Sequence, residues 1–93
     1  MLVASTRELV KLNGLDPVIA GPLTDAGATS YHAVKRALRR IPPSGSAIVI
    51  GAGGLGAYAI QHLLALTSAR VVAIDVSIDR LSYATELGAH DTL

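Results

Sequence analysis

No cysteine occurs in these 93 residues. Disulfides and thiolate metal ligands are therefore excluded within them, while a reducing and an oxidising compartment stay equally open. Charge is scarce too: 16% of the residues are Asp, Glu, Lys or Arg, and eight basic against seven acidic groups leave a net charge of +1. So even a balance exerts no long-range pull on nucleic acid or an anionic membrane, and neither is expected as a partner. The apolar runs are broken by Gly, Ser or charge well short of the roughly 18 residues a membrane span needs. Met1 to Ala4 meets Ser5, Thr6, Arg7 and Glu8 at once, too short a run, and without the basic leader, for a signal peptide. A cytoplasmic location is the simplest expectation.

Apolar residues, by contrast, are abundant. They make up 51% of the chain, and the mean hydropathy is +0.47. A chain of this length holds one small domain at most, and small domains have much surface to cover with polar groups. The excess implies surface for partners outside these residues.

Glu8 to Leu12 flanks its apolar residues with charge and ends at Asn13-Gly14, a strong turn pair, which predicts a short strand closing in a turn. Asp16-Pro17 sets a helix cap and a first helical residue, with Gly21-Pro22 interrupting. A helix is expected from about Thr24 to Arg40, stopped by Pro42-Pro43. Its apolar face carries Ala33, Val34, Ala37, Leu38 and Ile41, and its outer face Lys35, Arg36, Arg39 and Arg40. Those cations fit the negative end of the helix dipole and a wetted surface better than a nucleic-acid site.

Ser44-Gly45 then turns the chain, and Ser46 to Ile50 is an apolar run without alternation, which predicts a parallel strand buried on both faces. A helix follows over about Gly54–Thr67. Arg70 to Asp75 repeats the strand pattern and ends on a carboxylate. The next helix covers about Ile78–Leu87, with Ser77 as cap and Gly88 as stop, and Asp91-Thr92-Leu93 opens a third strand. This order is that of a right-handed βαβ series, the first half of a doubly wound sheet. Two complete strands cannot cover themselves, so a piece of a larger domain is expected.

The first strand and its helix are joined by Gly51-Ala52-Gly53-Gly54-Leu55-Gly56. Gly51, Gly53 and Gly56 have the spacing G-x-G-x-x-G, in which the first glycine permits the tight turn, the second admits a pyrophosphate to the backbone, and the third lets helix and strand pack closely. Gly54 and Leu55 offer amides at the positive end of the helix. Such glycines alone are a weak signal. Here they follow a strand, open a helix and precede Asp75, which stands 19 residues after Gly56 at the end of the next strand, near the expected interval. Asp75 is placed to accept from both hydroxyls of an adenosine ribose and to repel a 2′-phosphate, so NAD is expected in preference to NADP.

The chain resembles the medium-chain dehydrogenase/reductase superfamily, and within it the zinc-type alcohol dehydrogenases. Ala20 to Ala33, Val49 to Gly56, Ala73 to Asp75, Asp79 to Leu81 and Glu86 to His90 carry the likeness. It implies an α/β fold: the first half of a Rossmann doubly wound parallel sheet, preceded by the end of a GroES-like β-rich substrate domain and a linking helix. Residues 1–30 would be the end of that catalytic domain and the junction. Residues 31–93 would be the N-terminal part of an incomplete NAD-binding domain.

The resemblance also implies roles. Asp25 matches the third catalytic zinc ligand, Thr29 a threonine beside the nicotinamide, and Arg80 a basic residue near the ribose. Thr29 and Leu55 would lie on the side of the ring away from substrate. Read without the family, Asp25 is more simply a helix cap. The family's other two zinc ligands, a Cys and a His, would lie outside this chain. His32, seven residues on, is roughly 10 Å further along the helix axis, and it and His90 read as structural or surface groups.

The implied partners are NAD and a small alcohol or carbonyl, in a homo-oligomeric parent enzyme. Alone, the 93 residues are expected to be inactive and poorly folded. A zinc-free quinone reductase of the same superfamily is the enzymatic rival, against which stand Asp25 and the GAGGLG form. A methyltransferase is disfavoured by Ile50, where an acidic residue would precede the turn. A non-catalytic dinucleotide-binding module is the rival of another class.

Overall fold

The computed structural model describes residues 1–93. Its N-terminal third contains no strand. Ser5 caps a single 3-10 turn, Thr6–Glu8, and Glu8 reaches back to the Ser5 amide at 3.0 Å. Residues 9–12 are irregular and exposed, so the strand expected over Glu8 to Leu12 does not form. The alternation of apolar and charged residues is present, but no second strand lies beside it to complete a ladder, and a lone strand gains nothing from its pattern. The expected turn does form, with Asn13 at φ 50° and Gly14 at φ 92°. A β-rich end to a preceding domain is not seen in these residues.

Helix α1, Pro17–Ala20, starts where Asp16 accepts the Val18 amide at 2.8 Å. Gly21-Pro22 does not end the helical path but tightens it into a 3-10 turn, Gly21–Thr24. Helix α2, Ala26–Ala37, follows and closes in a 3-10 turn, Leu38–Arg40. Its basic residues face solvent, as expected. Its apolar face is narrower than the periodicity implied: Val34 is buried, Leu38 and Ile41 are half-buried, and Ala33 and Ala37 are exposed. The two alanines border an apolar groove of about 350 Å³ with Ala47 and Ile48, because methyl groups are too short to close the gap between α2 and the sheet.

The sheet has three parallel strands in the order β1 (Ser46–Ile50), β2 (Arg70–Ile74), β3 (Asp91–Thr92). Ile50 pairs with Ile74, and Val72 with Asp91. The crossovers are α3, Gly54–Leu66, and α4, Ile78–Glu86. Ser77 caps α4, and Gly88 ends it at φ 104°. Both helices pack on the sheet face bearing Ala47, Val49, Val71 and Ala73, where Ile60, Leu63 and Ala84, with Val34 of α2, Ala52 and Ala89, complete the core. A right-handed path from each strand to its neighbour on the same side puts both crossovers there.

The opposite face is open, which corrects the expectation of strands buried on both faces. Strand β1 alternates, with Ile48 at 62% and Ile50 at 82% exposure. The unbroken apolar sequence suits two covered faces, but the helices of these residues cover one. At the far end, His90 is structural, as expected. Its Nδ1 accepts the Val71 amide at 3.0 Å while its own amide donates to Val71 O at 2.8 Å.

Candidate dinucleotide site

The glycine turn lies at the C-terminal ends of β1 and β2. Gly51 continues the ladder by donating to Ile74 O at 2.7 Å, then turns at φ 88°, a region L side chains rarely adopt. Gly56 is required for a different reason. A Cβ there would meet Gly51 O at 1.9 Å and the Val49 side chain at 3.4 Å, so the helix could not lie this close to the strand. Gly53 and Gly54 have no such constraint: nothing lies within 4 Å of a Cβ at Gly54, and only Arg80, at 3.8 Å, near one at Gly53. Their bareness leaves room for a ligand to reach the main chain.

Helix α3 opens with Gly53 at its cap and no capping side chain. The amides of Gly54, Leu55 and Gly56 therefore have no acceptor within the helix. They face the exit of the turn with the positive end of the helix dipole behind them, an arrangement that suits a diphosphate.

Asp75 follows β2, and its side chain is 3% exposed. Oδ2 accepts the Ala52 amide at 2.7 Å and Oδ1 the Ser77 amide at 2.9 Å. Arg80 Nη1 stands 3.7 Å from Oδ2. The Ser77 amide, then the Ala52 amide, with Arg80 behind them, hold the carboxyl below the usual carboxylate range against the opposing effect of burial. A carboxylate with two oxygens and about four lone-pair directions keeps acceptor capacity beyond these two bonds. The bond to Ala52 was not legible in the sequence.

Two hollows flank the turn. Ile50, Gly51, Asp75 and Arg80 line one of about 530 Å³. Thr29, Ile50, Leu55 and Gly56 line another of about 220 Å³. The structure thus brings Thr29, the four glycines, Leu55, Asp75 and Arg80 around one turn. Asp25 is not part of either hollow. It is exposed, precedes α2 without capping it through its side chain, and its carboxylate enters no ion pair. No cluster of three or more His, Cys, Asp or Glu side chains assembles in these residues. His32 joins the basic outer face of α2, and the sequence reading passed over His62, which reaches from α3 to α2.

A glycine turn at the carboxyl edge of a parallel sheet, with an acid at the end of the adjoining strand, defines a Rossmann-type nucleotide-binding unit. No family model matches the sequence. It is 49% identical over 92 residues to "D-arabinose 1-dehydrogenase (NADP(+))" of Saccharolobus solfataricus, covering 96% of this chain and 26% of that protein. It is 40% identical over 90 residues to an "NAD-dependent alcohol dehydrogenase" of Sulfolobus acidocaldarius, again covering 96% of this chain and 26% of the relative.

Among solved structures, D-arabinose dehydrogenase from Sulfolobus solfataricus superposes with a TM-score of 0.90 at 47% identity, over 100% of this chain and 30% of that one. Acetophenone reductase from Geotrichum candidum, solved in complex with NAD, gives 0.84 at 36% identity, over 97% and 26%. The chain is homologous to one segment of these dehydrogenases, in line with its resemblance to zinc-type medium-chain alcohol dehydrogenases. It spans about a quarter of the length of the curated relatives it matches.

Proposed function

We propose that the protein carrying this chain is an NAD-dependent, zinc-containing alcohol dehydrogenase that moves a hydride reversibly between an alcohol and NAD. One observation carries the reading: the bare turn from Gly51 to Gly56 and the carboxylate of Asp75 meet at the same edge of the sheet. The residues fit the cofactor. The turn amides would hold the diphosphate, Asp75 the ribose hydroxyls, and Arg80 the outer side of that ribose. Thr29 and Leu55 would border the nicotinamide, orienting it for transfer.

In this reading residues 1–30 are the end of the catalytic domain and its junction, and residues 31–93 begin the nucleotide-binding domain. For zinc, the one matching position in these residues is the exposed carboxylate of Asp25. Asp25 would supply one ligand, the others coming from outside the 93 residues, and bound zinc would polarise the substrate oxygen. No helix is long and apolar enough to cross a membrane, and the reading places a homo-oligomeric enzyme in the cytoplasm.

The relative from Saccharolobus solfataricus is named for NADP, whereas the acid at Asp75 supports NAD. Titration of the native-length protein with NADH and NADPH decides between them, and oxidation of a panel of secondary alcohols and aldoses tests the activity. Tighter NADH binding and alcohol-dependent NAD reduction are expected. NADPH binding as tight as NADH would refute the cofactor assignment. Binding of NADH without any turnover, in zinc-replete protein, would favour the non-catalytic module.

A further inference from the structure

His62 is half-buried on α3, and nothing in the proposed chemistry uses it. Its Nε2 lies 3.1 Å from Gly27 O in the first turn of α2. A carbonyl only accepts, so the ring carries its proton on Nε2. This is the one side-chain hydrogen bond that links α2 to α3. The ring is also held in place on two sides: Tyr31 of α2 meets it edge-on at 5.4 Å between centroids, and Tyr58 of α3 stacks at 6.4 Å.

The place of the bond gives it a consequence. Gly27 stands two residues before Thr29 and two after Asp25. Helix α3 carries the diphosphate amides at its start, and Thr29 faces Leu55 and Gly56 across the smaller hollow. The first turn of α2 is otherwise held by close packing, with Gly27 and Ser30 both buried, and by bonds within its own helix, since Asp25 makes no side-chain cap. Ser30 Oγ bonds only to carbonyls of its own helix, at 2.7 and 3.0 Å.

We infer that His62 is a positioning residue: by donating to the Gly27 carbonyl it sets Thr29 at a fixed distance from the start of α3, and so from the nicotinamide end of the cofactor. The inference rests on the dinucleotide reading above. It separates the two ends of the site. The diphosphate turn is held by Gly51, Gly56 and Asp75 and does not depend on His62, whereas the Thr29 side does.

Two substitutions in the native-length protein distinguish the donor from the ring. His62→Phe keeps a ring between the tyrosines and removes the N–H. His62→Gln removes the ring and keeps a donor. NADH affinity, the emission of bound NADH, and kcat and KM on the best alcohol of the panel are measured well below each variant's thermal midpoint. For Phe the expected result is an NADH Kd and an NAD KM within about twofold of wild type, a changed emission, and a kcat lowered by about tenfold, since small misplacements cost up to about 10² in rate.

For Gln, kcat should stay within about threefold of wild type on the same ground. A Phe variant with wild-type kcat and emission would overturn the inference, as would a Gln variant that falls as far as Phe. If Phe does not fold, Gln decides alone: near-wild-type kcat and emission support the donor role, and a tenfold loss overturns it. Wild-type protein that binds no NADH would instead remove the dinucleotide reading, and this inference with it.

Discussion

Asp75 Oδ2 accepts the backbone amide of Ala52 at 2.7 Å, across 23 residues of chain. The carboxylate expected to bind a sugar therefore also clamps the glycine turn that would bind the diphosphate. Replacing it alters both ends of the adenosine half of the site at once. Asp75→Ala should raise the NADH Kd by roughly tenfold or more, as loss of a charge-assisted bond does. NADPH should not gain what NADH loses. Fluorescence titration with both coenzymes checks this, and an Asp75→Ala protein that binds NADPH as tightly as wild type binds NADH would contradict the clamp.

Gly56 and Gly54, two residues apart, should respond oppositely to one methyl group. At Gly56 the added carbon would enter the Gly51 carbonyl, forcing helix and strand apart at a cost of about 2 kcal/mol or more and abolishing NADH binding. At Gly54 it meets open space, so stability should stay within about 1 kcal/mol of wild type. Denaturant unfolding of the two alanine variants, with NADH titration, gives the comparison.

Acid should loosen both ends of the sheet, at Asp75 beside the glycine turn and at Asp91 where β2 and β3 begin. Asp75 is held below its ordinary range by the Ser77 and Ala52 amides, and Asp91 by the hydrogen bonds of Arg70, at 2.6 and 2.8 Å. Depressed folded-state values mean that both carboxylates contribute their stability fully above the unfolded value of about 3.9 and lose it as pH falls through the lower folded values. Stability of the native-length protein followed by urea unfolding should thus change little from these groups between about pH 7 and 5 and drop below about pH 4. Asp75→Asn should flatten that acid limb.

The isolated 93-residue polypeptide should unfold without a sharp transition. Half of its ten-residue core cluster is alanine, Ile48 and Ile50 lie on an uncovered sheet face, and β1 has a free edge beside the groove next to α2. Calorimetry checks this: a single cooperative endotherm from the monomeric peptide would show that one covered face suffices.

Much of the fold was legible because its signals are local. Gly51 needs a positive φ, Ser77 and Asp16 present cap oxygens to the next amides, and Gly88 ends α4 in the left-handed region. Each property belongs to the residue and its nearest neighbours. The strand expected at Glu8 to Leu12 failed for the converse reason, since a strand requires a partner and local alternation supplies none. Ala33 and Ala37 have the right period for a buried face, yet period says nothing of whether a methyl group reaches the opposite wall. His62 was invisible because nothing in the spacing of residues 27 and 62 marks them as neighbours.

By itself, then, the sequence determined the order of elements, the turn between β1 and α3, and the presence of an acid at the next strand end, all consequences of missing Cβ atoms, caps and short-range periodicity. Only the tertiary structure decided what those groups touch. Pairing Ile50 with Ile74 places the end of β2 against the glycine turn, and that register delivers Asp75 to the Ala52 amide. The packing of α2 on α3 likewise delivers His62 to the Gly27 carbonyl. Contacts of this kind join residues far apart in sequence, and they exist only once the sheet and helices have set the distance between them.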